Sequence, residues 1–360
     1  MQNKKTSITV MQYIFIIQGI QIGPGILSLP KVIAEKAGPD GWISIFIGGI
    51  MSMLASILFI LVAKTIPHDS PSTLLKRLFG KYVGGGIRYI YILYFSLYYW
   101  IVLVKSMLFT KNWFLSNTPD YVIIFLFCVP TYVLLKKGLQ IVGRYCELMF
   151  FMTMWLPFIL LLPLSEGNWL HFLPILKDGF TPILQAVPTL IYSYLGFEIC
   201  FFLYPFLQQK KYAIHGVIIA NLITMSVYAF VTIICFYTFS PNSITQFTQP
   251  ILNLLKLIEF RFLERFDMIW LSIYLLVVST SWIAFLQGVL LLIKGSDTKK
   301  NFSLLGLLLA GGIAVIIISP SWQQSEGYQN IISHIGFIVA YIFPFIFWLY
   351  SKVFYKYIRR

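Results

Sequence analysis

Charge is what this chain lacks first: only 11% of its 360 residues are Asp, Glu, Lys or Arg, and no polar stretch is long enough to enclose a second, water-surrounded core. A soluble multidomain protein is excluded on that ground. Cysteine is scarce as well. Cys128, Cys146, Cys200 and Cys235 all fall in apolar runs with no metal-type spacing, so they read as small core residues and not as a disulfide framework or zinc module. His68, His171, His215 and His334 lie in loops or near the ends of apolar runs, and there is no glycine-rich phosphate loop. No catalytic site, resident metal or cofactor is therefore expected, and the chain does not read as an enzyme. Acidic residues are the minority charge, 13 against 27 Lys and Arg, giving a formal +14.

What fills the chain is 58% hydrophobic and 18% aromatic residues, the composition of an integral membrane protein. Lys4 and Lys5 precede an apolar stretch that runs past Pro30 with no small-residue cleavage site. That segment is expected to stay attached as a first span. Apolar runs of membrane length predict ten transmembrane helices, at 9–35, 42–66, 86–112, 120–136, 145–164, 182–206, 214–239, 266–293, 302–319 and 332–355. They make a single membrane domain over 1–360. The two longest connections, 165–181 and 240–265, have the Pro, Asn, Gln and charge content of surface loops, with room for a small amphipathic helix in each.

Basic residues are retained on the cytoplasmic side of short loops. With the N-terminus inside, 19 of the 27 fall on that side, among them Lys4, Lys5, Lys76, Arg77, Lys210, Lys211, Lys299, Lys300, Arg359 and Arg360. The outer loops collect most of the acids: Glu35, Asp40, Asp120, Glu166, Asp178, Glu259, Glu264, Asp267 and Glu326. Both termini are expected in the cytoplasm. The positive balance then serves orientation and lipid-headgroup attraction, and no nucleic-acid partner is implied.

Two of the spans are interrupted near their middle, by Gly23-Pro24-Gly25-Ile26-Leu27 in the first and by Tyr194-Leu195-Gly196-Phe197-Glu198 in the sixth. Gly23 and Gly196 are 173 residues apart, each well inside the first span of a set of five. An odd number per set inverts the second set relative to the first. Corresponding breaks in two inverted halves, here 9–164 and 182–355 with the outer loop 165–181 between them, are the sequence pointer to a ligand site at the bilayer midplane. The plainer reading is that these glycines only kink or pack helices; Gly19 and Gly23 form a Gly-x-x-x-Gly pair.

The Gly-Pro-Gly-Ile break followed by Leu27-Ser28-Leu29-Pro30, and the Gly-Phe-Glu break running on to Leu203-Tyr204-Pro205-Phe206, resemble the amino acid, polyamine and organocation transporter superfamily. Within it the chain is similar to the spore germination permeases, the B-type subunits of nutrient germinant receptors. The resemblance implies an all-α membrane bundle of ten helices in two inverted five-helix repeats, with discontinuous helices 1 and 6. It also implies an amino acid or similar small nutrient as ligand, partner receptor subunits, and residence in the spore inner membrane. Two functions follow: a receptor subunit that binds the nutrient and signals germination, or a proton- or sodium-coupled secondary amino-acid transporter. A pore is disfavoured, because no ring of charge lines a path.

An amino acid leaving water needs partners for its carboxylate and its ammonium. The start of a half-helix offers N–H groups to the first, and the end of one offers carbonyls to the second. The carboxylate is expected near the amides of Gly25 and Ile26, with Gly23 letting the ligand approach the backbone and Pro24 lacking an N–H. The ammonium is expected near the carbonyls from Tyr194 to Gly196, beside Phe197. Glu147 and Glu198 are the carboxylates read as lying inside spans. Glu198 carries a coupling proton, holds the unwound backbone or pairs with a cation; Glu147 forms an i,i+3 pair or a cytoplasmic gate with Arg144. Tyr98 and Tyr99 either line a cavity or pack, and Lys105 is expected to snorkel outward. Ser279, Thr280 and Ser281 lie where sodium-coupled relatives of this fold hold a cation, or else bond their own helix.

Overall fold

A computed structural model of the chain describes residues 7–65, 71–258, 260–261, 265–294 and 301–358. Lys4, Lys5, His68, Glu259, Glu264, Lys299, Lys300, Arg359 and Arg360 lie outside the described residues. Among those described, the chain is all helical and forms no strand.

The chain enters through α1 (Val10–Gln21), started by a reciprocal capping box between Thr9 and Gln12. Pro24 and Pro30, each missing an N–H, then divide what sequence reasoning took as one span. Gly23 is extended, a 3₁₀ turn covers Pro24–Ser28, and α2 (Leu29–Ala37) follows. A further 3₁₀ turn, Gly38–Asp40, reverses the chain into α3 (Gly41–Ala63). The short α4 (Pro71–Phe79) precedes the longest helix, α5 (Lys81–Trp113), which is followed by α6 (Asp120–Lys136), α7 (Leu139–Thr153) and α8 (Leu156–Ile159). The second broken helix is α9 (Thr181–Tyr194) with α10 (Ile199–Leu203). After α11 (Ala213–Thr238), the short α12 (Pro241–Gln246) and α13 (Pro250–Leu255) occupy the long loop, and α14 (Phe266–Lys294) and α15 (Asn301–Ile318) come next. The last passage is α16 (Trp322–Gly336) joined to α17 (Phe343–Ile358) through a π-helical segment, Phe337–Ile342.

Seven helical stretches among the described residues are long and apolar enough to cross a bilayer: Pro24–Ala63, Lys81–Trp113, Leu139–Glu166, Thr181–Phe206, Lys210–Thr238, Phe266–Ile293 and Trp322–Val353. Val10–Gln21 and Gly306–Val315 are shorter apolar helices. Three of the ten expected stretches are not counted separately: the first is cut after Gln21, with its second half running into α3 across the Gly38–Asp40 turn; the fourth is α6, only 17 residues long; and the ninth is represented by the short Gly306–Val315. Three helices also start earlier than hydropathy suggests: α5 at Lys81, α7 at Leu139 and α16 at Trp322. The last matters most, since it adds the polar 322–331 segment to a membrane helix.

Position in the bundle follows from packing. The half-helix α1 lies between α7, α11 and α14; α3 lies against α9, α11 and α17; α5 runs along α14 and α16. A buried aromatic seam, with Tyr91 and Phe95 of α5 against Phe202 of α10 (centroids 4.9 and 5.8 Å apart), holds α5 to the second broken helix. The π segment answers the same break: Gly336 leaves room for Leu195, the Tyr341 ring lies 5.3 Å from that of Phe197, and the Val339 carbonyl accepts from the Tyr91 hydroxyl at 3.1 Å. Near the described ends of the chain Ile8 pairs with Leu207, and the Phe79 and Phe347 rings lie 4.7 Å apart; Arg88 Nη2 donates to the Ile293 carbonyl at 3.2 Å.

α4 rests on α5 through Gly84, where a β-carbon would stand 2.2 Å from the Leu75 carbonyl oxygen. Backbone cannot yield as a side chain can. Gly84→Ala is therefore expected to destabilise the fold by about 1–3 kcal/mol, as overpacking does, read as a lowered unfolding midpoint in detergent; Gly85→Ala, whose β-carbon meets nothing within 4 Å, is the matched control.

Candidate functional site

The two breaks meet at the centre of the bundle, and a set of polar side chains ties them together. At the second break Leu195 is extended, Gly196 takes φ +111°, and α10 begins at Ile199. Gly196 is required twice over: its φ is in the left-handed region, and a β-carbon would lie 2.6 Å from Ile20 Cγ2 of α1. Gln21, the last residue of α1, donates from Nε2 to the Tyr194 carbonyl and to Asn221 Oδ1, both at 3.1 Å, while its Oε1 accepts from Thr224 Oγ1 at 2.8 Å. Asn221 in turn donates to Ser56 Oγ (3.1 Å) and the Val217 carbonyl (2.8 Å) and accepts from Ser52 Oγ (2.8 Å). Both amide groups thus have every N–H engaged in a fully buried setting.

The remaining freed carbonyls are met by hydroxyls. Tyr98 donates to the Tyr192 carbonyl (2.9 Å), Tyr228 reaches the carbonyls of Gln21 and Ser193 (2.7 Å each), and Tyr274 donates to Gly23 (2.7 Å). Thr280 and Ser281 donate to the Gly19 carbonyl at 3.0 and 2.8 Å, and Ser281 also reaches that of Ile22 at 3.2 Å. The Tyr194 carbonyl, where a ligand ammonium was expected, is already taken by the Gln21 amide. Glu198, fully buried, accepts from the Gly196 N–H at 2.9 Å and the Tyr94 hydroxyl at 2.8 Å. Its carboxylate closes the turn at the break, and among the described residues it joins no ion pair.

At the crossing itself, between Gly23, Pro24, Gly25, Gln21, Tyr98 and Tyr192, lies a cavity of about 10 Å³, roughly the space one water molecule needs. Above it, on the α2 face, a vestibule of about 860 Å³ narrows to the same Gly25, Tyr192 and Ser193. The rings of Tyr98 and Tyr192 are stacked 5.3 Å apart beside the small cavity, and Tyr192 lines both spaces. A third, almost wholly apolar cavity of about 310 Å³ sits behind the first break, between Ile22, Ile26, Phe158, Phe230 and Trp270.

Of the residues singled out from sequence, Gly23, Pro24, Gly25 and Tyr98 line the small cavity; Ile26 backs onto the apolar one. Tyr99 is turned away from both, against Gly311. Neighbours in a helix differ by about 100° in direction, so Tyr98 and Tyr99 cannot share a cavity wall. The Tyr194 ring points to α3, its hydroxyl on the Ile45 carbonyl at 2.9 Å, and Phe197 packs between Phe59 and Tyr341. Arg144 is exposed and makes no ion pair with Glu147, which is half-buried on α7. Ser279 bonds the Leu276 carbonyl and Tyr145, away from Gly19. Lys105 does not snorkel: it is 4% exposed and donates to Gln329 Oε1 on α16.

Gln21, Asn221, Tyr228 and Tyr274 were not read from the sequence. A rule that would have found the two amides was at hand, since an amide inside an apolar span must have a partner. A protein-family model described as spore germination protein matches residues 7–327. The chain is 27% identical over 357 residues to the spore germination protein YndE of Bacillus subtilis (strain 168), covering 96% of this chain and 97% of that one. It is 25% identical over 339 residues to the spore germination protein GerQB of Bacillus cereus, covering 93% of each. Among solved structures it is similar to the substrate-bound, outward-open state of a Na⁺-coupled sialic acid symporter, with a TM-score of 0.66 and 13% identity over 92% of this chain and 77% of that one. That likeness is one of fold.

The amide network yields a direct test. Asn221→Ala removes its bonds to Gln21, Ser52, Ser56 and Val217. At the modest worth of such bonds inside membranes the loss is expected to be about 2 kcal/mol, seen as a lower unfolding midpoint; an unchanged midpoint means that the network does not hold the crossing together.

Proposed function

From the premise that the chain belongs to the spore germination protein family, we propose that it is the membrane-embedded subunit of a nutrient germinant receptor, binding an amino acid or similar small nutrient between its two broken helices and passing the change to partner subunits. The observation that carries this is the meeting of vestibule and break: the floor of the 860 Å³ vestibule is Gly25, Tyr192 and Ser193, the residues that also wall the small cavity at the crossing. The Gly25 amide, in the first turn of its helix, has no partner within that helix, and the Tyr192 ring stands 3.2 Å from where a β-carbon on Gly25 would be. A ligand acid group there displaces the Tyr192 ring from Tyr98 and enlarges the one-water cavity.

On this reading ten helices cross the inner membrane of the spore as two inverted repeats of five, 9–164 and 182–355, within one domain. The α2 face is outside and both termini are in the cytoplasm, which follows the segregation of basic residues. The reading assigns the chain no catalytic step.

The fold shared with a sodium-coupled symporter favours a second reading, a secondary transporter working by alternating access. Two features support the receptor over it. The hydroxyl protons of Thr280 and Ser281 go to the carbonyls of Val277, Gly19 and Ile22, so these carbonyls find donors within the protein. Glu198 is engaged by the break itself.

Purified protein in lipid vesicles, offered radiolabelled amino acids under proton and sodium gradients, separates the readings: saturable binding without accumulation is the receptor result, and gradient-driven accumulation makes the chain a transporter. Gly25→Val, whose β-carbon meets the Tyr192 ring at 3.2 Å, is expected to weaken binding by about tenfold or more, the scale of 1.4 kcal/mol. Glu198→Gln keeps an oxygen for the Gly196 N–H and can donate to Tyr94, so binding should survive it. If accumulation occurs and vanishes in Glu198→Gln, the carboxylate carries a proton and the transporter reading stands.

A further inference from the structure

Lys105 is the cation that the fold treats most oddly. It sits in the outer half of α5, is 4% exposed, and lines the vestibule without any carboxylate in ion-pair range among the described residues. Its ammonium donates to Gln329 Oε1 and lies 5.8 Å from the centre of the Trp322 ring. Glu326, which lines the same vestibule and accepts from Trp322 Nε1 at 2.9 Å, acts on the lysine through space but is not in ion-pair contact with it. Of the other vestibule charges, Lys31 and Glu35 pair with each other at 3.8 Å, and three lysines face two glutamates in all. A buried ammonium without a contact ion pair is expensive to keep in a membrane protein, while a neutral amide satisfies its hydrogen bond but not its charge.

The partner amide leads back to the break. Gln329 Nε2 stands 3.8 Å from where a β-carbon on Gly25 would be. Lys105 Nζ, the Gln329 amide and the unwound backbone at Gly25 therefore form one continuous donor surface on the vestibule floor. We propose that this surface is an anion site, with Lys105 supplying the charge and Gln329 a second donor. The nutrient is thus recognised first by a carboxylate, which takes the place of Gln329 Oε1 on the lysine. This rests on the nutrient-binding reading and names the ligand class: an acid binds, and its amide does not. Ammonium recognition is secondary, in keeping with the freed carbonyls being closed by protein hydroxyls and amides.

The test needs no knowledge of the nutrient. Full-length protein in phosphatidylcholine vesicles is reductively methylated with formaldehyde, and mass spectrometry follows Lys105, with the exposed Lys256, outside the vestibule lining, as internal reference. Propionate at saturation is expected to slow methylation of Lys105 by about tenfold relative to propionamide, the scale of a charge-assisted bond, and to leave Lys256 unchanged. Equal rates with acid and amide, equal slowing at Lys256, or no methylation of Lys105 overturn the proposal. The radiolabelled amino-acid panel keeps the two readings apart. Unchanged panel binding in Lys105→Gln, without propionate protection, sinks the anion site and leaves the nutrient reading intact. Protection by propionate with no panel binding keeps the anion site and counts against the amino-acid reading.

Discussion

Inside a bilayer a backbone N–H or C=O has no water to turn to, and this chain opens its backbone there twice. The rest of the architecture depends on how those groups are satisfied. Gln21 joins the ends of the two half-helices directly by bonding the Tyr194 carbonyl. Because Gln21 also binds Asn221 and Thr224, and Asn221 binds Ser52 and Ser56, the same contact fixes α3 and α11 against the crossing. α14 is positioned by the same need, through Tyr274 and Ser281 on the carbonyls of Gly23 and Gly19. Even the end of α16, at Gly336 just before the π segment, accommodates Leu195 of the second break.

The two kinds of freed group are treated unequally, and the inequality has chemical meaning. Carbonyls at both breaks are met by hydroxyls and amides of the protein, a neutral solution that needs no bound cation. The start of the second half of helix 1 is placed otherwise: Gly25 is buried yet borders the vestibule. Helix-start amides favour anions, and on the reading proposed above Lys105 adds a full charge of the same preference. On that proposal the acid end of a molecule is the part discriminated, with the vestibule walls left to sort the remainder. Tyr192 couples arrival to the scaffold: its ring touches the Gly25 approach, stacks on Tyr98, and its carbonyl accepts the Tyr98 hydroxyl. Moving that ring disturbs α5 and α9 together.

Several elements of this arrangement could be read residue by residue from the sequence. Glycine and proline inside an apolar run mark a helix break wherever they occur, so Gly23, Pro24 and Gly196 stood out. Glu198 stood out because a carboxylate at that depth is rare. Tyr98 and Tyr99 looked equivalent, since adjacency in sequence conceals opposite directions on a helix. Lys105 was misread for a different reason. Its partner is 224 residues away, in a segment rich in Gln, Ser and Asn that hydropathy assigns to a loop although it is the first part of α16. The amides of Gln21 and Asn221 went unread although an amide inside an apolar span must have a partner; which partners they take is not written in the spacing.

The sequence by itself determined what acts on composition and on short stretches: an all-helical chain with several spans long and apolar enough to cross a membrane, and two broken helices. The bilayer imposes these on every residue alike, so no long-range information is needed to see them. Only the tertiary structure decided which freed carbonyl meets which hydroxyl, that the crossing is shut down to the size of one water, and that Lys105 faces a vestibule with an amide in place of a counter-ion. Those outcomes depend on the direction of each side chain around its helix and on neighbours brought from distant parts of the chain, which hydropathy and spacing do not encode.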